Sequence, residues 1–500
     1  MTGDEDISDK QNFIERSIAF LSPMWAYKRY MFRNGLENVR NYDAGKYDRV
    51  NSGWSPIYEH SAEVTDKPYR DIIKARSRNL ERNSDIFNGI INAYVRNIVG
   101  YGLNLQVKTP DEDLNSLVSE YWDEWTKSRN CDVTGESTFD ELITIVLERY
   151  LIDGGILIYK AYTEGGLLPF KLQLLEVDEI DSGRIAPKYA GNVVVSGVEK
   201  DGFGKPAGYW INEYNIDGTK SVDSRFIKKE DVIFFYKKKR PGQSREMSQM
   251  APTISRLRDI TSYMETVSIK ERITASLSVF IKKTTPSGGI GGIGRGGQKV
   301  DQSSGYSGTT ITPGMITELR PGEDIGVVTP SGQSSNINDY IRTQQRMAGA
   351  GQGLSYETTS RDMSQVNYSS ARQGLIEDEA TFKIIQKSLI NHVLREIYET
   401  FFISLVVSGR LDKYLNTADL FRDKKSYLKH NWKPGARKWI DPLKEAGANR
   451  VALVTGQKSF QQLCNENGQD WKQVIDEIAQ AQEYAIQKGV DIFEYKSNTK

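Results

Sequence analysis

The apolar positions of the chain change period several times, and each change predicts an element. Between residues 69 and 99, Ile72, Ile73, Leu80, Phe87, Ile91, Tyr94 and Ile98 recur close to every 3.6 positions, which predicts one amphipathic helix. Lys74, Arg76, Arg78 and Arg82 fall mostly elsewhere around that helix and read as a solvated face. Two more helical patterns occupy 112–128 and 138–152. From Gly155 the texture changes to short β-branched and aromatic runs: "ILIYKAYT", "FKLQLLEV", "GNVVVSGVEK", "AGYWINEY" and "DVIFFYKK", parted by Gly, Pro and Asp turns. This predicts a compact β-rich section inside an otherwise helical chain.

Helical period returns over 252–283, with Pro252 in the first turn and Ile254, Leu257, Ile260, Met264, Val267, Ile273, Leu277 and Phe280 as its stripe. Such a helix is a rod of about 45 Å at 1.5 Å per residue. "ITELRPGEDIGVVTP" reads as two short strands around a Pro-Gly turn. A helix over 337–350 ends in "GAGQG", and another reaches about residue 407 with Leu375, Phe382, Ile385, Leu389, Val393, Ile397, Phe401 and Leu405 at repeated steps. Gly374, early in that helix, is expected to permit a bend. "DWKQVIDEIAQAQEYAIQKG" predicts the last helix.

Two polar tracts interrupt this order. "TTPSGGIGGIGRGGQKVDQSSGYSGTT" contains G-x-G-x-x-G at Gly289, Gly291 and Gly294. A dinucleotide site needs a strand before that motif and a helix after it; here a helix precedes and a Gly/Ser tract follows, so a flexible loop is expected. The second tract, "GLSYETTSRDMSQVNYSSARQG" at 353–374, lies between two helices. Its Ser370 and Gln373 have capping-box spacing, which predicts a helix start there.

At 500 residues the chain exceeds a usual single domain, and its 66 basic and 66 acidic residues balance to a formal net charge of zero. No basic field covers the molecule, so a contact with nucleic acid must be local or loose. Cys131 and Cys464, the only cysteines, are far apart, which excludes a disulfide scaffold and fits a reducing compartment. His60, His392 and His430 are scattered, and His392 reads as a packed or interface residue rather than a ligand. The acidic start "MTGDEDISDK" is unlike a signal peptide, so the sequon Asn367-Tyr368-Ser369 carries no consequence, and the longest apolar runs are too short to span a bilayer. There is no P-loop, no G-x-S-x-G, no H-E-x-x-H and no Cys/His cluster. Asp111, Glu112 and Asp113, and likewise Glu377, Asp378 and Glu379, read as solvated acids. The expectation is a chain with no catalytic residue, no metal and no cofactor.

Several blocks nonetheless agree with one family. "VNYSSAR" at 366–372, preceded by "GAGQGLSYE" and followed by a long amphipathic helix, closely resembles the signature of lambda-type tailed-phage portal proteins. "KKRPGQSREMSQMAPTISRLRDITSYMETVSIKERITAS", with Arg240-Pro241-Gly242-Gln243, is similar as well, as is "ARSRNLERNSDIFNGIINAYVRNIVGYGLNLQ". "GVEKDGFGKPAGYWI", "TPGMITELRPGEDI" and "WIDPLKEAGANRVALVTGQKSF" match in order, so that the resemblance runs over about 67–484. The Gly-rich tract at 287–308 departs from the pattern in being longer and more repetitive.

The resemblance implies an α+β portal-protein fold in a ring-forming subunit: wing 1–251, stem helix 252–283, small β-containing clip 284–334, second stem helix 335–352, tunnel loop 353–370, long wing helix 371–409 and a C-terminal wing and α-helical crown 410–500. It implies a homododecamer at one capsid vertex, assembled in the host cytoplasm. Double-stranded DNA is packaged and ejected through it without sequence specificity. The implied partners are a terminase motor, capsid and scaffolding proteins and head–tail adaptor proteins, with no membrane. The tunnel loop would bring Tyr356, Glu357, Thr358, Thr359, Ser360, Arg361, Asp362, Ser364, Gln365 and Asn367 to the DNA channel. Lys282, Lys283, Arg295 and Lys299 are a candidate basic collar near stem and clip. The alternatives are a nonenzymatic head–tail connector or scaffold without a tunnel loop, and an enzyme acting on nucleic acid.

Overall fold

Apolar stripes that must leave water decide which elements pack together. In the computed structural model the chain falls into two units, Met1–His60 and Ser61–Lys500. The structure describes residues 60–214, 220–275, 279–283, 323–327, 337–364, 368–434, 442–469 and 471–490. The second unit is α+β: among the described residues, helices accompany a three-stranded and a four-stranded antiparallel sheet and two two-stranded ones.

Helix α1 (Ala62–Asn83) and helix α2 (Asp85–Ile98) replace the single helix predicted over 69–99. Ser84 breaks the run: its backbone is extended, and its hydroxyl accepts a hydrogen bond from the Phe87 N–H at 3.4 Å. Upstream, α1 continues through Pro68, because its first turn is held from outside. The Glu63 carboxylate accepts the backbone N–H groups of Ser244 (3.1 Å) and Arg245 (2.9 Å) and the Arg70 guanidinium at 2.7 Å. The basic face of α1 is not simply solvated either. Lys74 is buried and pairs with Asp178 at 2.7 Å, and Arg78 grips Asp153 at 2.7 and 2.9 Å. Only Arg76 and Arg82 are exposed as expected.

Helices α3 (Glu112–Trp125) and α4 (Phe139–Ile152) start on an Asp111 cap and a Thr138–Glu141 capping box. Strand β1 (Leu103–Val107) pairs antiparallel with a strand absent from the hydrophobic pattern, His430–Pro434. Strand β2 (Gly155–Tyr162) lies between β3 (Phe170–Leu175) and β8 (Val232–Tyr236). Strands β4 (Val193–Val195), β5 (Val198–Lys200), β6 (Pro206–Tyr214) and β7 (Lys220–Lys228) form a meander. The run predicted as one strand, "GNVVVSGVEK", is a hairpin, since Ser196 and Gly197 both take positive φ (50° and 81°). Strand β7, "KSVDSRFIK", escaped the pattern because few of its positions are apolar. Leu157, Val177, Ile180, Tyr209, Ile227 and Val232 fill the space between the sheets.

The main core is aromatic. Trp125 is fully buried, stacks on Phe170 with centroids 5.4 Å apart and donates its indole N–H to the Phe170 carbonyl at 3.0 Å. Trp122 meets Phe401 edge-on at 5.0 Å. His430 is half-buried against Tyr398 at 4.2 Å, and burial lowers its pKa. His392 is exposed on the single chain rather than packed.

Helix α5 (Ile254–Ala275) is shorter than the predicted 252–283, spanning about 33 Å. Its expected last turns are strand β9 (Val279–Lys283), whose β-branched and aromatic start pairs antiparallel with β10 (Glu323–Val327). Register sets Lys283 opposite Glu323 and Lys282 opposite Asp324. Arg295 and Lys299, the Gly-rich tract and the strand expected at 316–320 lie outside the described residues. Helix α6 (Ile337–Gln352) is followed by a short helix α7 (Tyr356–Ser360). Helix α8 (Tyr368–Leu389) runs through a π turn at Ile390–Leu394 into α9 (Arg395–Val407). The irregularity predicted at Gly374 is therefore sixteen or more residues further on. Helix α8 also starts before Ser370, which places Ser370 inside its first turn, not at its cap; Gln373 donates to Glu377 at 3.0 Å. Strand β11 is His430–Pro434, and the C-terminal part adds α10 (Thr417–Arg422), α11 (Pro442–Val454), α12 (Phe460–Glu466) and α13 (Trp471–Lys488).

Candidate nucleic-acid interface at residues 353–364

The polar segment after α6 is held in place from three sides. Gly353 takes φ +72°, which a residue with a Cβ rarely adopts, and its carbonyl accepts the Thr381 hydroxyl at 2.9 Å. The Gln352 side chain donates to the Gln249 carbonyl (3.3 Å) and the Thr253 hydroxyl (3.1 Å), while the Gln352 backbone carbonyl accepts the Tyr94 hydroxyl. Asp378 of α8, nearly fully buried, accepts both the Ser355 N–H and the Ser355 hydroxyl at 2.7 Å each. Ser355 in turn caps α7 by accepting the Thr358 N–H at 3.3 Å. Gly89 of α2 lets the segment approach closely, because a Cβ there would be 3.0 Å from the Thr359 carbonyl oxygen.

Beyond α7 the chain turns back on itself. Arg361 takes the left-handed conformation at φ 57°, unusual for a non-glycine residue. Asp362 then gathers donors: the Ser364 hydroxyl at 2.6 Å, the Ser364 N–H at 3.0 Å, the Tyr356 hydroxyl at 3.1 Å and the Arg342 guanidinium at 3.3 Å. These bonds, led by that of Ser364, hold its pKa down at about 2. Arg342 and Arg346 of α6 sit over the Tyr356 ring, 5.9 and 5.4 Å from its centroid.

Of the residues expected at a channel, Arg361 and Ser364 are exposed, and Tyr356, Glu357, Thr358, Ser360 and Asp362 are half-buried. Thr359 is buried against the rest of the unit, and Gln365 and Asn367 lie outside the described residues. The segment is thus a capped helical turn with one exposed end, not an open polar loop. Sequence reasoning missed Asp378, read as a solvated acid. Its spacing carried the signal: it lies three residues after Leu375 and four before Phe382, on the apolar stripe, where a carboxylate needs a partner. Arg342 and Arg346, one turn apart, were missed as well. Among the described residues no group of His, Cys, Asp or Glu is placed to hold a metal ion, and no helix is long and apolar enough to cross a membrane.

Comparison with known proteins gives a consistent picture. The family model described as "Phage portal protein, lambda family" matches residues 47–386. The chain is 22% identical to a "Probable portal protein" of Halomonas phage phiHAP-1 over 88% of its own length and 86% of that protein. It is 20% identical to "Portal protein B" of Escherichia phage lambda, covering 88% of this chain and 90% of that one. Among solved structures it is similar to a chain from "Virion of native gene transfer agent (GTA) particle", at TM-score 0.40 and 12% identity, over 81% of this chain and 92% of that chain.

Proposed function

Because the chain belongs to the lambda family of phage portal proteins, we propose that its copies close into a ring, a dodecamer, at one vertex of the capsid, and that residues 353–364 face the hole through which double-stranded DNA passes. The observation that carries this reading is the anchoring of the segment. Its buried side is fastened to α8 by Asp378 and Thr381, and the end of α6 that leads into it is tied to α2 by Tyr94, while Arg361, Met363 and Ser364 stay exposed. A feature repeated in every subunit becomes a circle around the axis. A duplex carries one charge per about 1.7 Å of axis, so a wholly cationic circle would grip it and stall transport. A mixed one, with Glu357, Asp362, hydroxyls and Arg361, supports the duplex without reading bases. In this reading 1–251 with 371–409 form the wing, α5 and α6 the stem, 284–334 the clip that meets terminase and then the head–tail adaptors, and the C-terminal helices the crown. The role is structural, with no reaction assigned to any residue.

A thiol at the exposed position 363 tests the channel. Both native cysteines, Cys131 and Cys464, are buried, so Met363→Cys can be labelled selectively. Rings of M363C are expected to package DNA until a bulky thiol adduct is attached, and then to stop. Labelled rings that package normally would place the segment away from the DNA.

A further inference from the structure

Two arginines sit over the Tyr356 ring, and one of them pairs with Asp362. Arg342 and Arg346, on one face of α6, both lie over the Tyr356 ring, and Arg342 is shared with Asp362. Next to Asp362 stands the exposed Arg361, whose charge, after burial, is the second cause lowering the pKa of Arg96 at the end of α2. Arg342 and Arg346 thus share the Tyr356 face, and Arg361 adjoins Asp362, the partner of Arg342, in the chain. Among the described residues Arg96, Arg346 and Arg361 have no carboxylate at ion-pair distance, and Asp339 acts on Arg342 at longer range. The cluster contains no lysine. Guanidiniums supported by an aromatic face keep their planar forks ordered, which suits phosphate oxygens better than a point charge does.

Resting on the channel reading above, we propose that this cluster takes the phosphodiester backbone, with Arg346 and Arg361 as its open phosphate contacts and Asp362 as an internal anion that occupies Arg342 until a phosphate displaces it. A partly exposed ion pair of this kind is weak, so the exchange has little to overcome. Displacing Asp362 also loosens its bond to the Tyr356 hydroxyl, which ties each passing phosphate to the start of α7. The Ser364 bonds keep Asp362 near its place, so the pair reforms once the phosphate has moved on.

The test uses assembled full-length rings and a short blunt duplex of mixed sequence, titrated across a salt series, with each ring also imaged and scored for packaging. Arg346→Gln and Arg361→Gln are expected to weaken binding and flatten the salt dependence, Arg346→Lys to recover part of it, and Asp362→Asn to bind several-fold more tightly. Arg346 and Arg361 are exposed and Asp362 is half-buried, so matching thermal midpoints are required of all the variants. Rings that package DNA while these variants bind it with unchanged affinity and salt slope overturn the phosphate site and leave the channel reading intact. Polyglutamate of matched charge competing as well as the duplex also overturns it. Chains that form no ring overturn both.

Discussion

The aromatic core around Trp125 and the segment at 353–364 are fixed by opposite means. The core relies on area: Trp122, Trp125, Phe139, Phe170 and Phe401 interlock with little polar chemistry beyond one indole hydrogen bond. The segment has almost no apolar anchor after Leu354 and relies on directional bonds, from Asp378, Thr381, Ser355 and Asp362. Packing of the first kind is indifferent to small shifts of its surroundings and expensive to empty. Hydrogen bonds of the second kind set a conformation sharply while each contributes little.

Substitutions at each place should separate the two kinds. Trp125→Ala is expected to cost the most, about 3–5 kcal/mol of stability, read as a fall in the denaturation midpoint of the whole unit. Asp378→Ala should cost about 1–3 kcal/mol, the penalty for leaving the Ser355 donors unpaired. Unlike the tryptophan change, it should speed hydrogen exchange selectively in 354–360. Gly353→Ala, at φ +72°, should lose about 1 kcal/mol and shift exchange in the same place. A core substitution that mobilised only 354–360, or an Asp378 change that unfolded the unit, would erase the distinction.

Acid gives the smallest effect and a sign. The Asp362 carboxylate titrates at about 2 rather than the ordinary 3.8, so its charge favours the folded segment. That contribution is complete above about pH 4 and disappears as pH falls through about 2. Exchange at 361–364 should therefore be flat with pH, after correction for intrinsic rates, down to about 4, and rise below it. Asp362→Asn should abolish the dependence.

Much of the scaffold was legible in the chain because its elements are strongly periodic. Helices near 112–125, 139–152, 337–352 and 471–488 and five of the β runs stand where period and turn residues place them. What was not legible depended on partners distant in sequence. The α1 register through Pro68 needs Ser244 and Arg245, the strand at His430–Pro434 needs Leu103–Val107, and the end of α5 is decided by the pairing of β9 with β10. The segment at 353–364 was legible as a polar interruption between helices. Its inner structure was hidden, because Asp378 and Arg342 reveal their roles only once α6 and α8 are brought against the segment.

The most direct test of the central claim is a reconstruction of the assembled ring with DNA in place. It should show closed rings with residues 361–364 of every subunit nearest the axis and density for the duplex within side-chain reach of Arg361. Finding those residues on the outer rim, or finding copies that never close around a hole, would contradict it.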